Sequence, residues 1–236
     1  MIDRKLAITA LLTAGIFFAG IYQCDPSPKN GVGAAENDQL AYLNLHDTVG
    51  YVGMETCQTC HSGVHESYRE TGMGQSLGKA DTTKSIAQID GHQTLYDSLH
   101  NLGYRPFWEE ETLFLQEFRL DQGDTVFSRR EEVDYVIGSG QHTNSHLILR
   151  NGYLTQAPFT WYSQEQRLDW PPGFENGNNS RFQRPIGLEC MSCHNAMPRK
   201  FVPGSSHKFA SVPEGIDCER CHGPGEAHVQ KIQSGD

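Results

Sequence analysis

The chain has 236 residues, of which 37% are hydrophobic, and it contains 24 glycines and 11 prolines. This composition suits a single soluble domain, or one domain plus an appendage, with much loop and turn. Asp and Glu number 29 against 19 Lys and Arg, and the net charge is −10. We therefore expect no nucleic-acid partner, because sequence-independent binding depends on basic residues that contact phosphates.

The first 23 residues have the pattern of an export signal. Arg4 and Lys5 precede an uncharged run from Leu6 to Tyr22, and polar residues return at Cys24. This pattern predicts export to the periplasm or another part of the cell envelope, the outer surface included. Three fates stay open: a lipid on Cys24 that attaches the protein to a membrane, an uncleaved N-terminal anchor at the lower length limit for a spanning helix, or a cleaved soluble protein.

The remaining chain predicts an α+β fold with much irregular loop. Residues 24–48 are predicted to form a tether and residues 49–236 one domain. A helix is predicted from Val64 to Arg69, and β-prone runs separated by turn signals predict a small antiparallel β insertion at about residues 91–165. Asn151-Gly152 is the clearest hairpin signal. The β-prone runs are Gln93–Tyr96, Thr112–Leu120, Thr125–Arg129, Val133–Ile137, His146–Arg150 and Tyr153–Tyr162.

Three five-residue motifs share the pattern C-x-x-C-H. In such a motif the two thiols can each add to one vinyl group of a haem, and the adjacent imidazole is held under the iron as its proximal ligand. The sequence therefore predicts three covalently bound haem c groups, with short helices around their motifs. The attachment residues are Cys57, Cys60, Cys190, Cys193, Cys218 and Cys221, and the proximal ligands are His61, His194 and His222.

Two other uses of these cysteines explain the pattern less well. The pairs Cys190/Cys193 and Cys218/Cys221 are spaced like a Cys₄ zinc site, and disulfides are common in exported proteins. Neither alternative explains a histidine directly after every pair, and zinc leaves Cys57 and Cys60 without partners. Haem attachment accounts for all nine residues.

Stretches around these motifs, spread over about residues 49–230, resemble one protein family. They are Tyr51-Val52-Gly53, Thr71-Gly72-Met73-Gly74-Gln75-Ser76, Tyr135-Val136-Ile137-Gly138-Ser139-Gly140-Gln141-His142, Trp161-Tyr162, Cys190-Met191-Ser192-Cys193-His194-Asn195-Ala196 and Glu214-Gly215-Ile216-Asp217-Cys218-Glu219-Arg220-Cys221-His222-Gly223-Pro224-Gly225. The family is that of exported multihaem cytochromes c related to the tetrahaem cytochrome that accepts electrons from hydroxylamine oxidoreductase. The resemblance is closer to a branch often fused to tetratricopeptide repeats, and it implies electron transfer by haem c.

Sixth ligands to the irons must come from elsewhere in the chain. His228 is the first candidate; it follows His222 after a Gly-Pro-Gly turn and starts a predicted final helix. So short a connection favours the iron of a neighbouring haem rather than that of His222. His142 lies in a glycine-rich turn, where backbone freedom lets a side chain be aimed, and the family resemblance favours it over His146.

The third sixth ligand is open between several residues. Met73 is a candidate that would raise the reduction potential above that of a haem with two histidines, although methionines also pack against haem without binding iron. His65 is four residues from His61 and lies on the same helical face, which is a poor place to reach the opposite side of that haem. His207 is an outside candidate. If none of them binds, one iron keeps an open position.

The predicted function is a relay of electrons between redox partners at the cell envelope. An acidic surface predicts partners with basic patches and association rates that depend on salt. Two alternatives stay open: a haem enzyme that reduces or oxidises a small nitrogen or sulfur oxyanion at one open iron, and a haem-binding subunit of a larger envelope complex. A homo-oligomer also stays open.

Overall fold

The structure is a computed structural model that describes residues 42, 44, 46–196, 201–205 and 207–235. The described part is α+β, with two antiparallel sheets and a few short helices, as the sequence predicted. The predicted export signal, Cys24 and most of the predicted tether lie outside the described residues. Among the described helices, none has the length and apolar character that crossing a membrane requires.

The short helices lie at the three C-x-x-C-H motifs. They are α1 (Met54–Gln58), α2 (Ser62–Arg69), α3 (Leu188–His194), α4 (Glu219–His222) and α5 (Glu226–Ser234). The first motif runs from α1 to the start of α2, the second ends α3, and the third spans α4. The predicted helix over Val64–Arg69 is α2, and the predicted final helix at His228 is α5.

Nine strands lie between the first and second motifs. They are β1 (Leu77–Lys79), β2 (Leu95–Asp97), β3 (Leu102–Glu109), β4 (Thr112–Asp121), β5 (Asp124–Glu132), β6 (Tyr135–Ile137), β7 (Thr143–Arg150), β8 (Tyr153–Tyr162) and β9 (Arg167–Asp169). One sheet has the order β1-β6-β7-β8-β9 and the other β2-β3-β4-β5. The hairpin between β7 and β8 turns at Asn151 and Gly152, whose φ angles are 53° and 85°. Positive φ at both positions is what a tight two-residue hairpin requires, and it explains the Asn-Gly signal.

The predicted runs lack β1, β3 and β9, and β1 and β9 also lie outside the predicted insertion at about residues 91–165. Strand β3 was missed because it contains Gly103 and Pro106, two residue types that are depleted in strands. Packing makes Gly103 suitable here: a Cβ at this position would lie 2.5 Å from the ring of Phe118 on β4. The strand pairs with β4 from Gly103↔Phe118 to Glu109↔Thr112. Tertiary contact therefore decides this element against its local propensity.

Two buried apolar clusters hold the sheets. The first joins residues of both sheets and includes Tyr104, Leu115, Ile148 and Phe159. The second joins the five-stranded sheet to Met191, which lies inside the second haem motif and has no exposed surface. The sheet therefore fixes the position of the second motif.

Candidate haem-binding site

The first and third motifs are held together by a buried carboxylate. Glu219 lies between the two cysteines of the third motif and is 3% exposed. Its Oε1 accepts hydrogen bonds from the amides of Val52 and Gly225, both at 2.8 Å, and its Oε2 accepts one from Gly53 at 2.8 Å. Val52 and Gly53 directly precede α1. The contact therefore brings together parts of the chain that are more than 160 residues apart.

Further hydrogen bonds tie the loop before the third motif to the segment after the first. The Tyr68 hydroxyl on α2 donates to the carbonyl of Ile216 at 2.9 Å. The Ile216 amide donates to the Met73 carbonyl at 3.3 Å and to the Ser76 hydroxyl at 3.0 Å. Met73 thus lies next to the third motif, and its side chain is 51% exposed.

Two thiols of different motifs lie side by side. Burial raises the pKa of Cys57 to about 11, with the neighbouring Cys218, Glu219 and Asp217 adding to the effect. Cys57 is therefore a protonated thiol at neutral pH. The attachment points of the first and third motifs are neighbours in space.

The second motif contacts the same loop. The Arg220 guanidinium, from the third motif, donates to the carbonyl of Ser192 in the second. The Ala196 amide donates to the Gly215 carbonyl at 2.6 Å, and the Asn195 side chain donates to the carbonyl of Pro213. All three motifs therefore converge on residues 213–222.

The motif side chains are accessible for haem attachment. Cys60, Cys193 and Cys221 are exposed, the other three motif cysteines are half-buried, and all six are free thiols. The three histidines predicted as proximal ligands are exposed as well. Within the described ranges, no three of His, Cys, Asp and Glu converge on a position for a metal ion.

A cavity of about 690 Å³ lies among the three motif segments. Gln58 of the first motif, Ala196 next to the second and Asp217 next to the third line it, together with His65 and Arg69 of α2. Nδ1 of His65 is buried, and it has no hydrogen-bond partner in the part of the chain that the structure describes. The size of the cavity is that of a site for a small molecule or cofactor. The accessible thiols and imidazoles fit covalent haem by their chemistry, whereas none of these nine side chains lines the cavity.

His61, a predicted proximal ligand, lies close to a second imidazole. The ring centres of His61 and His228 are 6.4 Å apart, and their planes are inclined by 22°. His228 lies on α5, whose start is held against the segment before α1 by Glu219 and by Glu226. Oε2 of Glu226 accepts from the Gly50 amide at 2.7 Å.

Two further histidines considered from sequence, His142 and His146, differ in environment. His142 is exposed, and its Nδ1 lies 2.9 Å from the side-chain nitrogen of Gln164. His146 is fully buried on β7, with its ring centre 4.0 Å from that of Phe159. Burial lowers the pKa of His146 to about 3, so the ring is neutral. His146 is a core residue.

Sequence reasoning missed Glu219 and Arg220 as functional residues, although both lie inside a haem motif. The two positions between the cysteines vary freely in the C-x-x-C-H pattern, so the pattern carries no signal for them. Their charge could have been used instead: a carboxylate or a guanidinium next to two thiols needs a partner if it is buried.

The family model described as cytochrome c554 and c-prime matches residues 175–223, which contain the second and third motifs. No curated protein and no solved structure matches the chain. The family match covers less than half of the chain. It supports the assignment of this protein as a c-type cytochrome, an electron carrier with covalently bound haem c.

Proposed function

We propose that this protein is an exported trihaem cytochrome c that relays electrons between redox partners at the cell envelope. The observation that carries the proposal is the convergence of all three motifs, which places Cys57 beside Cys218 and joins Arg220 to Ser192. Each haem supplies an iron that changes valence. Haems attached at neighbouring motifs give electrons a path through the molecule.

The protein side of each haem site consists of thioether links and axial ligands. On this proposal the six motif cysteines hold the haems, and His61, His194 and His222 bind the irons from one side. The 6.4 Å between the ring centres of His61 and His228 supports a shared iron. With metal–nitrogen bonds of roughly 2 Å, two imidazoles on opposite sides of one metal have ring centres about 6 Å apart. His228, which follows the third motif in the chain, would thus bind the iron of the neighbouring haem, the one attached at the first motif.

Met73 and His142 are proposed as the other two sixth ligands. Met73 lies beside the third motif through the hydrogen bond from Ile216, which favours the iron of His222. His142 is proposed for the iron of His194 by elimination, since His228 and Met73 are proposed for the other two irons. Its turn adjoins the Met73 segment, because the Gly138 amide donates to the Ser76 carbonyl at 2.7 Å.

The proposed setting follows the family resemblance and the charge of the chain. We propose kinship with the tetrahaem cytochrome that accepts electrons from hydroxylamine oxidoreductase, and redox partners with basic patches, since the net charge is −10. Attachment to a membrane through Cys24 or through the N-terminal segment, and assembly into a homo-oligomer, belong to the same proposal.

The deciding experiment combines haem counting with spectroscopy on the exported, full-length protein. Pyridine haemochrome analysis and intact mass should give three haems per chain. Electronic and EPR spectra, with and without cyanide and nitric oxide, should show low-spin haems that do not react with either ligand. A high-spin haem that binds the added ligand would overturn the pure relay and favour an oxyanion-converting enzyme.

A partner that co-purifies in a stoichiometric complex and is required to keep the haems in place would favour the subunit alternative. Fewer than three haems would overturn the trihaem proposal itself.

A further inference from the structure

We propose that Glu219 is a positioning residue that sets the spacing of the two axial imidazoles, His61 and His228. The inference rests on the proposed function, in which these two histidines bind one iron. It concerns a residue that binds neither haem nor iron. Glu219 acts through the backbone of the two segments that carry the imidazoles.

The contacts of Glu219 lie at the starts of both segments. Gly53 is the N-cap of α1, which leads into Cys57 and His61, and Gly225 is the N-cap of α5, which carries His228. One carboxylate binds the amides of both N-caps and that of Val52, each at 2.8 Å. Hydrogen bonds to an ionised carboxylate are roughly twice as strong as neutral ones. The two segments are therefore held by hydrogen bonds to the same carboxylate.

The two segments pack closely at Gly225, so the distance between them can change little without a clash. A Cβ built on Gly225 would lie 3.0 Å from Cγ2 of Val52 and 3.2 Å from Oε1 of Glu219. A second tie lies alongside, since Glu226 and Gly50 exchange hydrogen bonds at 2.7 and 3.2 Å. Residues 50–53 and the first turn of α5 thus form one joint, and Glu219 is its buried centre.

Loss of the carboxylate would loosen this joint. Three amide donors would lose their common acceptor, and buried donors without partners are costly. Axial ligation needs both imidazoles at bonding distance from one iron, so a small separation of the segments weakens the iron–His228 bond. Outer-shell partners of metal ligands typically contribute 10- to 100-fold to metal affinity. We expect a loss of that order in the affinity of His228 for its iron.

The test compares E219A, E219Q, H228A and the control E55Q in the full-length trihaem protein. Glu55 is an exposed carboxylate in the first turn of α1, so E55Q removes one charge near the same haem without removing the buried acceptor. Haem content is measured first by pyridine haemochrome analysis. EPR spin state, cyanide affinity and recovery of the low-spin signal by added imidazole are then measured for each variant.

In H228A we expect one of the three haems to become high-spin and to bind cyanide. In E219A we expect the same haem to become partly high-spin, with a cyanide affinity at least 10-fold above that of the unaltered protein, and imidazole to restore the low-spin signal. E219Q keeps one acceptor oxygen and should lie between E219A and the unaltered protein. E55Q should leave the spin state unchanged.

The outcomes separate the inference from the proposed function. Three low-spin haems in E219A, with unchanged cyanide affinity while H228A turns high-spin, would overturn the role of Glu219 and leave the haem assignment standing. An unchanged spectrum in H228A would overturn the pairing of His61 with His228, and with it this inference. Absence of covalent haem in the unaltered protein would refute the proposed function itself. If E219A does not accumulate, E219Q decides by the same measurements.

Discussion

Replacing His146 should remove a large part of the acid sensitivity of the fold. The ring is fully buried against Phe159 on β8, and its Nε2 has no hydrogen-bond partner in the described part of the chain. Burial lowers the pKa of His146 from 6.5 to about 3. The native protein therefore keeps this ring neutral, whereas the unfolded chain protonates it below its ordinary pKa.

The direction of the effect follows from proton binding. Between about pH 6.5 and pH 3 the unfolded state binds one proton more than the native state at this residue, so stability falls as the pH falls through this window. One bound proton changes the free energy of unfolding by about 1.4 kcal/mol per pH unit. Between pH 8 and pH 5 the loss from His146 amounts to about 2 kcal/mol.

The assay is denaturant unfolding of the unaltered protein and of H146L at pH 8, 6 and 5, followed by far-UV circular dichroism. Leucine is apolar and of similar size, but it removes the hydrogen bond between Nδ1 of His146 and the Phe159 carbonyl, so the variant should lose about 1 kcal/mol at pH 8. At pH 5 the variant should gain about 2 kcal/mol relative to the unaltered protein. Parallel stability curves from pH 8 to pH 5 would refute the reasoning.

Three further predictions concern a buried ion pair, the attachment of the first haem and the effect of salt on electron transfer. R181M should lower the free energy of unfolding, measured with denaturant, by roughly 3 kcal/mol, because it leaves the fully buried carboxylate of Glu117 without its partner. E117Q should lower it less, because the Arg181 side chain is 38% exposed and water can solvate it; equal losses in the two variants would contradict this. Changing Cys57 and Cys60 to alanine should leave two haems by mass, keep the β signal in circular dichroism and lower the helical signal; a loss of both signals together would contradict it. The rate of electron transfer to a basic redox partner should fall as ionic strength rises from 0.02 to about 0.2 M, as stopped-flow kinetics can measure, and a rate independent of salt would exclude electrostatic steering.

The predictable features of this protein are those whose cause is local. Asn151-Gly152 marked a hairpin because the turn itself demands positive φ at both residues. Strand β3 escaped prediction because Gly103 is there to admit the ring of Phe118, a residue on another strand. The role of Glu219 could not be predicted for the same reason, since its partners Val52 and Gly53 are more than 160 residues away in the sequence. A motif identifies where haem is attached, but it does not identify what holds the motifs together.

The lobe that carries the first and third motifs has little apolar core of its own. Helices α2 and α5 bury no residue, α4 buries only Glu219, and α1 buries only Met54. The apolar clusters lie mainly in the sheets, and among the described residues they reach the motifs at Met191 and Cys190 of the second one. Hydrogen bonds fix geometry but contribute only about 1 kcal/mol each to net stability. On the proposed function, the macrocycles supply the missing apolar surface, so covalent haem completes the folding of this lobe while the sheets fold without it.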